Sequence, residues 1–236
     1  ATITPDYMFP ATAAIVQHKL GAAKAAAFDL EAARTGMIYG MITGANFIAT
    51  GCYKNVLVIG SEAMSKIIDW TDRDTCVLFG DGAAAVVLSE VEEGYGILGF
   101  NLAADGSGGC YLDQPAGGTR NPATIDTVNS KMHYLKMKGK EVFKFAVTAL
   151  PETVMKTLNN VEMHPSDVDL YIPHQANYRI IDAAAKKLDQ PIEKFYMNMD
   201  RFGNTSSASI GIALDEVLQA GKIKKGDSIV LVGFGA

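Results

Sequence analysis

His174 stands where an α/β protein places catalytic groups. It follows an apolar run, Val168 to Pro173, and precedes a segment with helical periodicity. The ends of such strands present ligand-binding groups, and an imidazole there can move protons or donate a hydrogen bond. The alternative is a histidine that only caps the following helix. The local sequence leaves both interpretations open.

Asn204 lies in a turn of small residues, Arg201 to Ser209. A side-chain carboxamide can stabilise a developing negative charge by donating hydrogen bonds. An asparagine that opens a helix is also a good N-cap. The turn alone does not decide between a catalytic and a capping role.

The elements that must position these residues alternate along the chain. Short apolar runs predict strands over residues 26–30, 55–60, 84–88, 96–102, 168–173 and 228–234. Apolar residues spaced three or four apart predict helices over residues 11–20, 36–49, 140–158, 177–188 and 207–220. The alternation predicts an α/β protein with a largely parallel sheet and helices on both faces.

Composition excludes several classes of protein. The chain has 236 residues, 48% of them hydrophobic, and a formal charge of −5, which argues against nucleic-acid binding. Its three cysteines, Cys52, Cys76 and Cys110, form no CxxC pair and have no histidine at metal-ligand spacing, so we expect neither a metal site nor disulfides. No apolar run approaches the ~20 residues of a membrane span. We expect a cytoplasmic protein that is not in a membrane.

Two segments together resemble a known family. The strand that runs into His174-Gln175-Ala176-Asn177, followed later by Gly203-Asn204-Thr205-Ser206, is similar to the paired signature of β-ketoacyl-acyl-carrier-protein synthase III. Other matching segments are Trp70 to Arg73, Phe79 to Ala83 and Val232 to Gly235. The resemblance implies a thiolase-like fold of two related, mostly parallel sheets with helices on both faces, incomplete in this chain.

The resemblance also implies a reaction. Members of the family initiate fatty-acid biosynthesis by decarboxylative Claisen condensation of an acyl-CoA primer, acetyl-CoA being the expected one, with malonyl-acyl carrier protein. A cysteine thiolate at a helix N-terminus accepts the acyl group. His174 and Asn204 would then hold the malonyl thioester oxygen and stabilise the enolate. Coenzyme A enters as a substrate thioester, and no cofactor is implied.

Arg34 occupies the position at which the family has its nucleophilic cysteine. The segment reads Glu31-Ala32-Ala33-Arg34-Thr35-Gly36-Met37, and a guanidinium cannot form a thioester. The resemblance also assigns the oxyanion hole to Arg34 and Ala236. Three interpretations stay open: a condensing enzyme disabled in acyl transfer, a homologue that only binds carrier protein, and an enzyme that only decarboxylates malonyl thioester.

Binding residues follow from the same resemblance. Arg73 is expected near the nucleotide of coenzyme A, and Phe143 and Asn177 along the pantetheine tunnel, although Phe143 could equally belong to the core. Carrier-protein docking, together with contacts to the pantetheine phosphates, is assigned to the basic residues Lys144, Arg179, Lys186 and Lys187. The alternative for these lysines is an ordinary solvated helix face. A homodimer is expected from the family.

The stretch 104–130 is rich in glycine, aspartate and proline and is predicted to be a connector loop or a lid. It would separate residues 1–103, the remainder of an N-terminal thiolase-like half, from residues 131–236, a C-terminal thiolase-like half. The chain ends directly after an apolar strand, and its first residues supply no strand. We therefore expect the chain to be truncated at both ends.

Overall fold

The structure is a computed structural model, and it describes residues 1–235. The strands are β1 (Asn55–Ala63), β2 (Asp81–Ser89), β3 (Leu112–Asp113), β4 (Lys136–Met137), β5 (Leu170–Pro173) and β6 (Ile229–Val232). The helices are α1 (Thr12–Lys19), α2 (Gly36–Ala49), α3 (Ile125–Asn129), α4 (Gly139–Asn159), α5 (Tyr178–Lys187), α6 (Met199–Phe202) and α7 (Ser209–Gln219). All five predicted helices are therefore confirmed, as α1, α2, α4, α5 and α7.

The α/β class is confirmed, but the strand pairings within residues 1–235 differ from the expected parallel arrangement. β1 and β2 pair antiparallel along their whole length, as do the short β3 and β4, and only β5 and β6 run parallel. Parallel strands need a long crossover, usually a helix. The chain returns from β1 to β2 through residues 64–80, which contain a short 3-10 helix and turns but no α-helix. The connection from β5 to β6 contains α5, α6 and α7.

Two predicted strands do not form. Residues 26–30 and 96–102 have no strand pairing in the described part of the chain. A strand persists only where its main-chain groups find a partner. Leu30 makes one such bond, accepting from the Thr2 amide at 3.2 Å, and Leu98 is 54% exposed. Apolar composition alone was therefore misleading at both places.

β5 is buried on both faces and organises the core. Tyr171 packs with residues of α4 and α5, including Val154 and Ile181. Its neighbour Ile172 points to the other face and packs with Ile210 of α7. Successive side chains of a strand alternate between faces, so helices are held on both sides of this strand. Burying each large apolar side chain stabilises the fold by about 1.5–3 kcal/mol. Because β5 is packed in this way on both faces, the position of its last residues is well defined.

The predicted connector, residues 104–130, has local structure. It contains β3, α3 and a 3-10 helix at Gly106–Tyr111. Just beyond it, the Lys131 Nζ atom lies 2.9 Å from Asp69 Oδ2. Asp69 also accepts hydrogen bonds from the Thr71 main-chain and side-chain groups, at 2.9 and 2.7 Å. The division of the chain into two halves around this segment remains a prediction.

This ion pair predicts an acid-sensitive contribution to stability. The Thr71 hydroxyl, then Lys131, hold the pKa of Asp69 below its usual value of 3.8. A carboxyl whose folded pKa is lowered stabilises the fold above its unfolded pKa and loses that contribution as pH falls. We expect D69N to be less stable than wild type near neutral pH, with the difference shrinking below about pH 4, measured by urea unfolding. D189N, at an exposed aspartate with no ion pair among residues 1–235, is the control; an equal loss there would contradict the assignment.

Candidate active site

His174 directly follows β5, and its main chain is tied to β6. The His174 amide donates to the Val232 carbonyl at 2.8 Å. The following helix, α5, begins at Tyr178 and is capped by Asn177, whose Oδ1 accepts from the Arg179 amide at 2.8 Å. The helix-capping alternative for His174 is therefore wrong.

The His174 ring has no exposed surface. Its Nδ1 atom lies 2.7 Å from the Ser209 hydroxyl oxygen. The imidazole and the Phe234 ring pack edge to face, with their centroids 5.5 Å apart. Nε2 is buried and has no hydrogen-bond partner among residues 1–235. Burial, and then the positive charge of Arg34, lower the pKa of His174 well below 6.5. The imidazole is therefore neutral at pH 7 and has one N–H to donate.

Asn204 is buried in a turn that is joined to the loop around Gly80. Its amide donates to the Leu78 carbonyl at 2.9 Å, and its carbonyl accepts from the Gly80 amide at 3.0 Å. A Cβ at Gly80 would lie 2.1 Å from the Phe202 carbonyl oxygen, so only glycine permits this approach. The N-cap position of α7 belongs to Ala208, so Asn204 is not the cap of that helix.

The Asn204 carboxamide is held from within its own turn. Oδ1 accepts from the Ser206 amide at 2.9 Å, an Asx-type bond to the residue two places ahead. With the oxygen fixed in this way, the group left to donate is Nδ2. The arrangement suits a side chain that stabilises negative charge on a bound molecule.

Arg34 lies in the 3-10 turn Ala33–Thr35 that leads into α2, and it is buried. Burial lowers the pKa of its guanidinium to about 10, while the nearby negative Glu62 opposes the shift. The group therefore remains charged at pH 7. A Cβ at Gly235 would come within 2.5 Å of Arg34 Cδ, so the glycine leaves room for this side chain. Ala33, the preceding residue, has a φ of 43°, a left-handed conformation that is unusual outside glycine.

Glu62 is a buried charge that the sequence analysis missed. Its carboxylate, near the end of β1, accepts from the Thr4 hydroxyl at 2.8 Å and from the Ile3 amide at 3.1 Å. It also accepts from the Ser207 amide at 3.4 Å. Its negative charge favours the charged form of Arg34. The sequence signal was a single acidic residue at the end of an apolar strand, and a glutamate in such a place is usually exposed to solvent.

Several of these residues surround one cleft of about 430 Å³. Its lining includes four residues that the resemblance selected, Arg34, Asn204, Phe143 and Asn177. The other lining residues are Asp74, Leu78, Phe79, Met137, Gly139, Lys140, Val142, Phe145, Ala176, Ile180, Phe234 and Gly235. His174 is not part of the lining; it lies behind the wall, in contact with Phe234.

The remaining predicted site residues lie outside the cleft. The Arg179 guanidinium stacks 5.5 Å from the centre of the Phe143 ring, and Arg73 is exposed beside the lining residue Asp74. Lys144 pairs with Glu141, and Lys186 with Asp182. The Lys187 Nζ atom donates to the Val147 carbonyl at 3.1 Å. Ala236 lies outside the described residues.

Other kinds of site find no support in the described chain. Residues 1–235 contain no cluster of three or more His, Cys, Asp and Glu side chains that could hold a metal ion. Cys52, Cys76 and Cys110 do not line the cleft, so within these residues no thiol stands in for the cysteine that the resemblance implies at position 34. None of the helices in residues 1–235 has the length and apolar character that a bilayer span demands.

Asn204 and Arg34 line one cleft, and the buried imidazole of His174 lies behind its wall against Phe234. These are the three positions that the resemblance to thiolase-like condensing enzymes selected. Residues 28–106 match the family model for 3-oxoacyl-[acyl-carrier-protein] synthase III, and residues 158–236 match the model of its C-terminal part. The chain belongs to the β-ketoacyl-[acyl-carrier-protein] synthase III family.

Relatives and solved structures agree with this assignment. The synthase III of Desulfitobacterium hafniense is 57% identical over 235 residues, which cover 100% of this chain and 71% of the relative. That of Caldanaerobacter subterraneus is 56% identical, again over 100% of this chain and 71% of the relative. The structure from Thermus thermophilus superposes with a TM-score of 0.90 at 45% identity, covering 100% of this chain and 72% of that one. The synthase III structure from Pseudomonas aeruginosa superposes with a TM-score of 0.91 at 40% identity, covering 100% of this chain and 71% of that one.

The buried His174 predicts a second pH effect. Its folded pKa is depressed, so below an unfolded value of 6.5 the unfolded chain binds more protons than the folded one. Stability is therefore unaffected above that pH and falls as pH drops below it, by up to about 1.4 kcal/mol per pH unit. We expect H174Q to lose this slope in urea unfolding measured between about pH 7 and pH 5. H18Q, at an exposed histidine, should retain it; loss of the slope in H18Q instead would refute the assignment to His174.

Proposed function

We propose that this chain performs the malonyl half of its family's reaction and that Arg34 closes the acyl-accepting half. The family reaction is the decarboxylative condensation of an acyl-CoA primer with malonyl-acyl carrier protein, which gives 3-oxoacyl-acyl carrier protein and starts fatty-acid synthesis. The observation that carries the proposal is the neutral, buried His174, whose Nε2 has no hydrogen-bond partner within residues 1–235 and which lies close to a cleft lined by Asn204 and Arg34.

The decarboxylation step follows from the two donors. The malonyl thioester enters the cleft, and its carbonyl oxygen accepts hydrogen bonds from His174 Nε2–H and Asn204 Nδ2. The bond to the carboxylate carbon breaks, carbon dioxide leaves, and the electron pair forms an enolate whose oxygen the same donors stabilise. No acyl group is present for the enolate to attack. A proton from water then gives the acetyl thioester.

The proposal excludes transfer of an acyl group to this chain, because of Arg34. Arg34 stands before α2, where a thiolate would benefit from the helix dipole. Its guanidinium is charged at pH 7 and is not a nucleophile. Its volume also occupies the space against Gly235. An acyl-CoA primer therefore finds neither an acceptor nor room there.

A second candidate is a homologue that binds carrier protein without catalysis. The complete burial of His174 favours it, because Nε2 becomes accessible to a thioester only if a cleft-lining side chain moves. In both candidates acyl carrier protein is the partner, acyl-CoA or malonyl thioester the ligand, and the cytoplasm the compartment. A homodimer and the absence of any cofactor besides the substrate thioester belong to the proposal as well.

The first experiment measures decarboxylation. Malonyl-acyl carrier protein labelled in its free carboxyl carbon should release labelled carbon dioxide, with one acetyl-carrier protein formed per molecule released. H174A and N204A should each lower the rate by about 100-fold or more, because each removes one donor to the enolate oxygen. A wild-type rate no higher than that of H174A would contradict the proposal. Retained carrier-protein binding in that case would select the second candidate.

The basic residues assigned to carrier-protein docking yield a separate prediction. Lys144 and Lys186 expose 71% and 76% of their side chains, and acyl carrier protein is acidic, so reversing both charges should weaken association mainly through its rate. We expect the K144E/K186E variant to bind malonyl-acyl carrier protein about tenfold more weakly, a loss of about 1.4 kcal/mol, with less dependence on salt. Decarboxylation of malonyl-CoA, which has no carrier protein, should be affected much less, because only contacts to the phosphates are lost.

K224E provides the matched control, because Lys224 is an exposed lysine between α7 and β6. Surface plasmon resonance at two salt concentrations gives both the rate and its salt dependence. Equal weakening by K224E would show a general charge effect and would contradict the docking assignment.

A further inference from the structure

Ser209 makes a buried contact with the site that the proposed reaction does not use. Its hydroxyl oxygen lies 2.7 Å from His174 Nδ1, and both residues are at most 2% exposed. Ser209 is the first residue of α7, whereas His174 follows β5. The hydrogen bond therefore joins the start of α7 to the residue that follows β5, and it acts on the orientation of the imidazole ring.

The direction of this hydrogen bond decides which ring nitrogen carries the proton. A neutral imidazole has one N–H, and the other nitrogen accepts. If Nδ1 carried the proton, the Ser209 oxygen would accept and its own hydrogen would lack a partner, since within residues 1–235 the hydroxyl contacts only this nitrogen. A buried unpaired hydroxyl hydrogen is unfavourable. If the hydroxyl donates to Nδ1, that hydrogen is satisfied.

The position of Ser209 in α7 favours the same direction. The unpaired amides at a helix N-terminus create a positive potential, which attracts a nitrogen lone pair and repels an N–H. Nδ1 faces the first turn of α7 and is therefore the nitrogen expected to have the lone pair. The proton then belongs to Nε2, which is buried and has no hydrogen-bond partner in the described chain.

We propose that Ser209 is a positioning residue that holds His174 in the tautomer protonated at Nε2, by donating its hydroxyl hydrogen to Nδ1. In this tautomer the free N–H is available to a thioester oxygen. The other tautomer presents a lone pair, which would repel the developing enolate. The catalytic consequence rests on the proposed function, whereas the tautomer itself does not.

Nitrogen-15 NMR of the histidine-labelled chain tests the tautomer directly. Protonated and unprotonated ring nitrogens have well separated shifts, and the signals of His174 are identified by their absence in H174Q. The wild type should show a protonated Nε2 and an unprotonated Nδ1. S209A should lose this preference and show a mixture or the opposite tautomer, and S209T, which keeps a hydroxyl, should restore it. A wild-type chain protonated at Nδ1, or S209A with the wild-type tautomer, would overturn the proposal.

S206A is the control for the NMR signature. The Ser206 hydroxyl is buried nearby and has no hydrogen-bond partner in residues 1–235, so its removal should leave the His174 tautomer as it is. In the decarboxylation assay we expect S209A to lower kcat by roughly tenfold with little change in KM, and S209T to recover part of the loss. A wild type with the expected tautomer but without decarboxylation would refute the proposed function and leave the role of Ser209 standing. An unchanged kcat in S209A with an altered tautomer would refute its catalytic consequence.

Discussion

The neutrality of the His174 imidazole is the condition on which the site depends. The ring has no exposed surface, and a charged guanidinium acts on it from Arg34. Protonation would place a second positive charge on a fully buried ring, close to that guanidinium. In the proposed reaction the ring therefore acts as a neutral donor, and the nitrogen that holds the hydrogen decides what it can stabilise. A charged acid could give up its proton; a neutral donor of this kind stabilises an enolate without transferring one.

The fold holds the buried imidazole in place through contacts on three sides. β5 is buried between helices on both faces, so the residue after it cannot shift. α7 supplies Ser209 against Nδ1, and Phe234, after β6, packs against the ring. Asn204 is placed independently, by main-chain bonds to the loop at Leu78 and Gly80. The two proposed donors are thus held before a substrate arrives, and preorganisation of this kind is a large contributor to enzymatic rate enhancement.

Much of this could be predicted from the sequence, for identifiable reasons. The helices appeared because their apolar residues repeat with the helical period, and α2 begins and ends at the predicted residues 36 and 49. The runs at 26–30 and 96–102 were misassigned because a strand depends on a partner elsewhere in the chain. Glu62 and Ser209 were missed for a related reason: their partners, including Ile3 and His174, are distant in sequence. Arg34 became informative only through the resemblance, which implies a cysteine at that position.

In the proposal, Arg34 divides the site into a half that can decarboxylate and a half that cannot accept an acyl group, and intact-chain mass spectrometry tests this division most directly. Wild type and R34C are each exposed to acetyl-CoA, with R34A as a control that removes the guanidinium without adding a thiol. This division of the site predicts that R34C gains the mass of one acetyl group, loses it when malonyl-acyl carrier protein is added, and forms 3-oxoacyl-acyl carrier protein. Wild type and R34A should gain no mass. Stable acetylation of the wild-type chain, or an R34C chain that never becomes acetylated, would contradict it.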